Sequence, residues 1–190
     1  MKQHWKPGNM VYPLPAVMVS CGGTEEEYNL LTISWTGTLC TNPPLCYISV
    51  RPERHSYPIL KKEGEFVINL TSVDMAYATD WCGVKSGKDF SKFKEMRLTP
   101  GKSLKIKAPT IEEAPINIEC KVIDIKPLGS HDMFIAEVVN IQADERFIDK
   151  VTGAFDMQKA NLLVYAHGKY YEMGNLIGSF GWSVKKKKKK

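Results

Sequence analysis

The chain has 190 residues, of which 43% are hydrophobic and 25% charged, a composition typical of a globular protein large enough to bury its own core. Its formal net charge of +5 comes from six consecutive lysines at 185–190, since removing six of the 26 basic residues leaves 20 against 21 acidic ones, a net of −1. We therefore expect one domain at residues 1–184, a disordered, tag-like lysine tail at 185–190, and no basic face for nucleic acid.

The sequence carries no signal for export, a membrane span or a metal site. No window comes near 18 consecutive apolar residues, and the N-terminal stretch has no apolar h-region ahead of its prolines. The cysteines are odd in number and widely spaced, which argues against disulfides and zinc: Cys21, Cys40, Cys46, Cys82 and Cys120. We expect a cytoplasmic protein with no metal and no membrane partner.

Short β-rich segments dominate the chain. Strand-length apolar runs bounded by Gly, Pro or Asn occur at 15–21, 30–35, 45–50, 65–70, 116–125 and 133–141. The segment 161–173 is expected to form a hairpin that turns near His167, Gly168 and Lys169, because glycine tolerates the positive φ of a tight turn. Strands at this spacing favour an antiparallel barrel or sandwich over parallel βαβ units.

The segment 116–125 changes the parity of its apolar positions. Alternate residues from Ile116 to Val122 share one face, but the apolar positions then shift to Ile123 and Ile125. This shift predicts a bulge or a strong bend at that point.

Two helices interrupt the strands. At 56–64, Ser56 is placed to cap the helix, Pro58 lies in its first turn and Gly64 closes it. At 72–83, apolar and small residues follow the helical i, i+3, i+4, i+7 spacing up to Gly83. The lysine-rich segment 85–96 is expected to be a loop that runs into a short helix.

The segment 49–56, SVRPERHS, has the features of an anion site. A strand ends at Val50, Arg51 and Arg54 follow, and a helix begins at Ser56. The free N–H groups and the positive end of a helix attract anions, and two arginines can clamp a phosphate. The alternative is that the arginines are solvated loop charges and that Ser56 only caps the helix.

The segment 30–37, LLTISWTG, begins as a buried strand and ends in small polar residues around one indole. Its backbone amides and the hydroxyls of Thr32, Ser34 and Thr36 suit the polar edge of a flat heterocycle beside Trp35. The alternative is a strand that enters a turn, with Trp35 in the core.

Other candidate motifs are weak. The segment 82–93 combines glycines with lysines but lacks the spacing of a P-loop. The four histidines have no metal-ligand spacing, and no G-x-S-x-G elbow indicates a serine hydrolase. Cys82, beside lysines, is either a thiol of lowered pKa or a buried cysteine at a helix end.

Taken in order, these segments resemble the flavin reductase-like family, the FMN-binding split barrels, and within it the flavoredoxin-type branch. The resemblance covers roughly residues 10–182 and rests on YPLPAVMVSC (12–21), the segment 29–60 with its NPPL turn, GEFVINL (64–70), SGKDFSKF (86–93), GSHDMFIAEVVNI (129–141) and YYEMGNLIGSFG (170–181). Ser130 stands where the family usually has Asp.

The resemblance implies a homodimeric, mainly β split barrel of antiparallel strands with a few helices, which binds FMN near the subunit interface. The ring would contact Thr32, Ser34, Trp35 and Thr36, whose donors suit flavin atoms that gain negative charge on reduction. The remaining contacts would anchor the phosphate, the last two from the same subunit or its partner: Ser49, Val50, Arg51, Arg54, Ser56, Ser86 and Lys92.

By the same resemblance, His131 would lie on the side of the flavin where a nicotinamide stacks. It would orient that ring or relay a proton, and the alternative is a strand-end histidine satisfied by backbone partners. The departure at Ser130 bears directly on how a nicotinamide is handled.

Two functions fit this resemblance. One is an NAD(P)H-dependent flavin reductase that passes electrons through FMN to free flavin or another acceptor. The other is a flavoredoxin-type protein that holds FMN tightly and exchanges electrons with a redox partner, without efficient NAD(P)H turnover. A third reading, a β-barrel that binds nucleic acid, is disfavoured because the basic charge is confined to the tail.

Overall fold

The computed structural model describes residues 1–185, so the predicted lysine tail lies outside the described residues from position 186 onward. The strands are β1 (Leu14–Pro15), β2 (Val17–Cys21), β3 (Asn29–Ile33), β4 (Thr36–Cys40), β5 (Leu45–Val50), β6 (Glu65–Leu70), β7 (Pro100–Gly101), β8 (Thr110–Ile111), β9 (Ile116–Pro127), β10 (Asp132–Ala143), β11 (Leu163–Ala166) and β12 (Lys169–Glu172). The α-helices are α1 (Ser56–Glu63), α2 (Ala76–Val84), α3 (Lys92–Glu95) and α4 (Met157–Ala160). No helix within residues 1–185 has the length and apolar character needed to cross a bilayer.

Seven strands form one antiparallel sheet in the order β3-β2-β6-β9-β10-β5-β4, and this sheet curls into a half-barrel. The long neighbours β9 and β10, of 12 residues each, pair along their whole length. Smaller sheets join β1 to the β11–β12 hairpin and β7 to β8. The predicted fold class, a mainly β split barrel of antiparallel strands, is confirmed.

The predicted bulge lies at Ile123. Val122 pairs with Ala136 and Asp124 pairs with Ile135, which leaves Ile123 as an extra, exposed residue on β9. Bulges bend a strand and increase its twist, so this one contributes to the curl of the sheet.

The core lies inside the curled sheet. Alternation along β5 turns Cys46, Ile48 and Val50 inward, where they pack with the fully buried side chains of Phe66 and Phe134. The same alternation turns Ser49 to the opposite face, at the end of the strand where the cleft described below begins.

Strands β2 and β3 are buried on both faces. Their outer face, which includes Met18 and Leu30, packs in a second apolar cluster with Cys82 of α2 and Phe93 of α3. This packing fixes both helices beside the end of β3, and so positions the helical wall of the cleft.

Two local predictions need correction, and one strand was not predicted. Ser56 is the first residue of α1 rather than its cap, because His55 holds the N-cap position and the Ser56 hydroxyl accepts a hydrogen bond from the Asn29 amide at 2.7 Å. Helix α2 continues one residue past Gly83. The segment 36–40 forms β4, an edge strand that the polar sequence did not suggest because an exposed edge needs little apolar alternation.

Candidate functional site

A cleft of about 540 Å³, here called the aromatic cleft, opens where β3 ends. The ends of β3 and β5 form its floor, α2 forms one wall, and the β11–β12 hairpin and the β9–β10 turn form the others. A second pocket of about 330 Å³, the cation pocket, lies between the loop before α1 and the loop between α2 and α3. The two share Leu31, Arg51 and Arg54 in their linings, so they are neighbouring parts of one site.

The structure brings together nearly all of the residues proposed from the sequence. The aromatic cleft is lined by Thr32, Ser34, Trp35, Ser49, Val50, Arg51, Arg54 and His131. The cation pocket is lined by Ser56, Ser86 and Lys92, together with the two arginines. Within one chain, Ser86 and Lys92 lie in the same pocket as the two arginines.

Thr36 lies in neither lining. Its hydroxyl donates a hydrogen bond to the carbonyl oxygen of Tyr47 at 2.6 Å, and the side chain is buried. Thr36 therefore contributes to the pairing of β4 with β5 rather than to either pocket.

Trp35 forms an aromatic wall of the cleft rather than part of the core. Its side chain remains 37% exposed, and its indole lies nearly parallel to the His131 imidazole, with an interplanar angle of 11° and centroids 6.2 Å apart. The ring of Tyr165 in β11 packs against the same indole, with the two ring centroids 6.5 Å apart. Offset aromatic rings at such separations present flat surfaces to a planar ligand.

The end of β3 is tied to its neighbours by hydrogen bonds. The Ser49 amide donates to the Trp35 carbonyl oxygen at 2.9 Å, and the Thr32 hydroxyl donates to the Thr79 carbonyl oxygen in α2. Within residues 1–185 the structure gives the Ser34 hydroxyl no such partner, although Ser34 lines the cleft. A ligand in the cleft therefore finds this hydroxyl uncommitted.

Lys92 is the electrostatic centre of the cation pocket. Its side chain is 3% exposed and its ammonium donates to the Cys82 carbonyl oxygen at 2.6 Å. Burial lowers the pKa of Lys92 to about 8, and the positive charge of Arg54 acts in the same direction. No carboxylate within residues 1–185 forms an ion pair with it. A buried cation without a counter-charge is costly, and an anionic ligand would offset that cost.

Arg54 adds a second cation to the same place. Its guanidinium donates to the Gly83 carbonyl oxygen at 3.3 Å, so Arg54 and Lys92 both bind carbonyl groups in the last turn of α2. Cations are favourable at this end of a helix, which explains how the chain places two of them side by side.

The loop after α2 approaches Asn29, the first residue of β3, closely because position 87 is glycine. A Cβ atom on Gly87 would lie 2.1 Å from the Oδ1 atom of Asn29, a distance that no packed side chain tolerates. The Asn29 amide in turn donates to Ser56. The sequence interpretation missed Asn29 as a site residue, and Gly87 within SGK was the only local signal for this contact.

His131 has a side-chain partner rather than a backbone one. Its Nδ1 atom lies 2.9 Å from the Ser130 hydroxyl. Burial lowers the pKa of His131, and the nearby charges of Arg51 and Arg54 lower it further. The imidazole is therefore biased towards its neutral form.

Tyr170 and Asp80 also line the aromatic cleft and were missed by the sequence interpretation. The Tyr170 hydroxyl donates to Asp80 Oδ1 at 3.1 Å and ties the β11–β12 hairpin to α2. Burial and this carboxylate raise the pKa of Tyr170 to about 12. The two residues are 90 positions apart, so no local pattern could have paired them.

Of the two alternatives for Cys82, the structure supports a buried cysteine at a helix end. Burial raises the pKa of its thiol to about 11, so it is protonated at neutral pH and a poor nucleophile. All five cysteines in residues 1–185 are free.

Comparison with known proteins gives a family match over most of the chain. The model of the flavin reductase like domain matches residues 9–174. An uncharacterized protein of Pyrococcus abyssi is 33% identical over 153 residues, which are 80% of this chain and 83% of that protein. The flavoredoxin of Desulfovibrio vulgaris (Miyazaki F) superposes with a TM-score of 0.90 at 27% identity, over 97% of this chain and 100% of that one. The reductase component of a 4-nitrophenol 4-monooxygenase/4-nitrocatechol 2-monooxygenase from Rhodococcus opacus is 27% identical over 59% of this chain and 57% of that protein.

Proposed function

Because this chain belongs to the flavin reductase-like domain family, we propose that it is an FMN-binding oxidoreductase whose flavin occupies the aromatic cleft and the cation pocket together. One observation carries the proposal. The aromatic cleft and the cation pocket meet at Arg51 and Arg54, and FMN has one planar ring and one terminal phosphate joined by a short chain. Each half of the molecule then finds a pocket of matching chemistry.

The residues of the cation pocket fit a phosphate monoester. Such a group carries close to two negative charges at pH 7, and it would meet the guanidinium groups of Arg51 and Arg54 and the unpaired ammonium of Lys92. FAD instead carries a pyrophosphate bridge with one negative charge on each of its two phosphates, so its charge is spread over two groups rather than concentrated on one terminal phosphate. This charge match favours FMN over FAD.

The residues of the aromatic cleft fit the ring. Trp35 offers a flat apolar surface, and Ser34 and Ser49 offer their hydroxyl groups near the ends of β3 and β5. FMN bound there would supply hydride- and electron-transfer chemistry. The chain's own residues bind it, orient it and hold partial charges against its polar edge.

The first candidate activity is NAD(P)H-dependent flavin reduction, with electrons passed to free flavin or another acceptor. Its support is the space beside Trp35, where His131 and Tyr170 line the same cleft and could meet a nicotinamide. The Rhodococcus opacus relative is named as a reductase component, which agrees with this activity class.

The second candidate is a flavoredoxin-type electron carrier that exchanges electrons with a partner protein. Its support is the likeness to the Desulfovibrio vulgaris flavoredoxin along nearly the whole of both chains. In this case FMN would be held tightly and NAD(P)H would react poorly.

Anaerobic mixing of the FMN-loaded protein with NADH and with NADPH separates the two candidates. A reductase loses its flavin absorbance near about 450 nm within seconds with at least one nucleotide. A carrier keeps that absorbance with both nucleotides but loses it with dithionite. Failure of the purified chain to bind FMN at all would overturn both.

We also propose that two copies of the chain assemble with the flavin near their interface. Large apolar side chains are exposed near both ends of the described chain, among them Trp5 at 72% and Ile177 at 90%. Large apolar patches on a protein surface are typical of interaction sites, and these side chains support an interface of that kind. Light scattering on the purified protein should give twice the chain mass.

We propose the cytoplasm as the location of the protein. The five free cysteines agree with a reducing compartment of this kind.

A further inference from the structure

The turn between β9 and β10 holds His131 in a defined position. Gly129 adopts a φ of 103°, and the Leu128 amide donates to the His131 carbonyl oxygen at 3.0 Å. The Ser130 hydroxyl then meets His131 Nδ1 at 2.9 Å. The backbone and the side chain of this turn together set the orientation of the imidazole.

The nearby carboxylates are bound to other groups, so the Ser130 hydroxyl is the hydrogen-bond partner of the His131 ring. Arg51, Glu53 and Arg54 lie on the loop that follows β5; the two arginines disfavour a positive imidazole, and Glu53 favours it. The next carboxylate along the chain, that of Asp132, accepts a hydrogen bond from the Tyr57 hydroxyl at 2.5 Å. Across the cleft, the carboxylate of Asp80 in α2 is bound to Tyr170 of β12.

A hydroxyl and a carboxylate in this position would have opposite consequences. A carboxylate accepts a hydrogen bond from Nδ1–H and its negative charge stabilises the positive imidazolium, whereas a hydroxyl carries no charge and stabilises it far less. A ring bound through Nδ1 keeps Nε2 for a ligand, and within residues 1–185 the structure gives Nε2 no hydrogen-bond partner.

We infer that Ser130 is a positioning residue that holds His131 through its Nδ1 atom, adds no charge beside the ring, and leaves the Nε2 atom for a planar ligand stacked in the aromatic cleft. The role of that ligand rests on the proposed function, since the flavin or its redox substrate would be the planar group. His131 then acts as a neutral hydrogen-bonding group beside Trp35 and adds no fixed positive charge near the ring.

The inference is tested by NMR titration of the imidazole ¹⁵N nuclei in the full chain. The His131 signals are identified by their loss in His131→Gln, and the other histidines serve as internal references. In Ser130→Ala, the ¹⁵N shifts of Nδ1 and Nε2 should move towards those of a mixed pair of tautomers. Ser130→Thr, which keeps the hydroxyl, should restore the parent shifts.

Ser130→Asp tests the charge argument. The pKa of His131 should rise above that of the parent, because the new carboxylate stabilises the imidazolium. If the FMN-loaded protein reacts with NAD(P)H, the pH at which its reduction rate changes should rise together with the pKa of His131 measured by NMR. The matched control is Ser183→Asp, which places the same charge on an exposed residue outside both pockets and should leave the titration of His131 unchanged.

The inference is overturned if Ser130→Ala leaves both the ¹⁵N shifts and the pKa of His131 as they are in the parent. It is also overturned if Ser183→Asp raises that pKa as much as Ser130→Asp does. The NMR titration does not depend on turnover, so a chain that binds no FMN would refute the proposed function without deciding the role of Ser130.

Discussion

The ammonium group of Lys92 lies 2.6 Å from the carbonyl oxygen of Cys82, and this contact places a buried positive charge at the end of α2. The same turn of helix receives the guanidinium of Arg54 through the Gly83 carbonyl. Two cations held by carbonyl groups, with no ion-paired carboxylate within residues 1–185, form a pocket prepared for an anion. The predictions below follow from that arrangement and from the walls that support it.

Removing the charge of Lys92 should not destabilise the chain without ligand. In Lys92→Met the free energy of unfolding should stay within about 1 kcal/mol of the parent or rise, since an apolar replacement removes the desolvation cost of a buried ion. Chemical denaturation in the absence of flavin measures this. Lys88→Met, an exposed position in the same segment, is the control. A loss well beyond 1 kcal/mol in Lys92→Met alone would mean that Lys92 serves mainly to hold the helix end.

The affinity for FMN should fall as the pH rises above about 8. Lys92 loses its proton in the ligand-free chain near that pH, because burial lowers its pKa to about 8 from the ordinary 10.5, and a neutral amine attracts phosphate less. The dissociation constant for FMN, measured at about pH 7 and about pH 9.5, should differ between the two pH values for the parent and differ less for Lys92→Met. The same slope in both proteins would assign the effect to another group.

The stability of the ligand-free chain should change with pH in the opposite direction to the affinity for FMN. Between about pH 8 and 10.5 the unfolded chain keeps the Lys92 proton that the folded chain has released. The unfolded state therefore binds more protons in that window, and the contribution of this site to the free energy of unfolding rises with pH. Denaturation at several pH values, with Lys92→Met as the reference, isolates that contribution. A site contribution that falls with pH across this window would contradict the assignment.

The arginines of the cation pocket should each contribute to FMN binding. Arg51→Ala or Arg54→Ala should weaken it by roughly 1.5–3 kcal/mol, the amount expected for a lost charge-assisted hydrogen bond. The exposed ion pair of Arg51 with Glu53, at 3.4 Å, is weak enough to be exchanged for a phosphate. Arg146→Ala, which removes an arginine outside both pockets, is the control. Unchanged affinity in both pocket variants would place the phosphate elsewhere.

Gly87 should not tolerate a side chain. Gly87→Ala forces Asn29 to move, because the added Cβ would lie 2.1 Å from Asn29 Oδ1, and Asn29 is buried and bound to Ser56. We expect a destabilisation of about 1–3 kcal/mol, typical of overpacking, together with weaker FMN binding. Gly8→Ala, where the nearest atom is 4.0 Å away, should leave both properties unchanged. Normal stability and binding in Gly87→Ala would show that Gly87 does not lie against Asn29.

Much of the fold was predictable because local rules and tertiary structure agree. The change of parity at Ile123 marked the bulge, Gly64 closes α1 with a φ of 66°, and the hairpin turns through His167 and Gly168, both at positive φ. At Gly64 and Gly168 a glycine signalled a backbone conformation that few other residues adopt, and at Ile123 the change of parity signalled the extra residue.

The site was predictable only in part, because tertiary structure decides which of several similar residues is buried. Lys85, Lys88 and Lys92 look alike in the sequence, yet only Lys92 is buried, beside Phe93 in the short helix α3. The hydroxyl of Thr36 was equally indistinguishable from that of Ser34 until the pairing of β4 with β5 directed it to Tyr47.

The central claim is that a flavin ring and its phosphate occupy the aromatic cleft and the cation pocket at once. The most direct test compares the dissociation constants of FMN and riboflavin, which lacks the phosphate, for the parent and for Lys92→Met. We expect the parent to bind FMN at least about tenfold more tightly than riboflavin, a difference of about 1.4 kcal/mol or more, and Lys92→Met to lose most of that advantage while its affinity for riboflavin is unchanged. An FMN advantage that survives in Lys92→Met, or an equal loss of affinity for both ligands, would contradict the account.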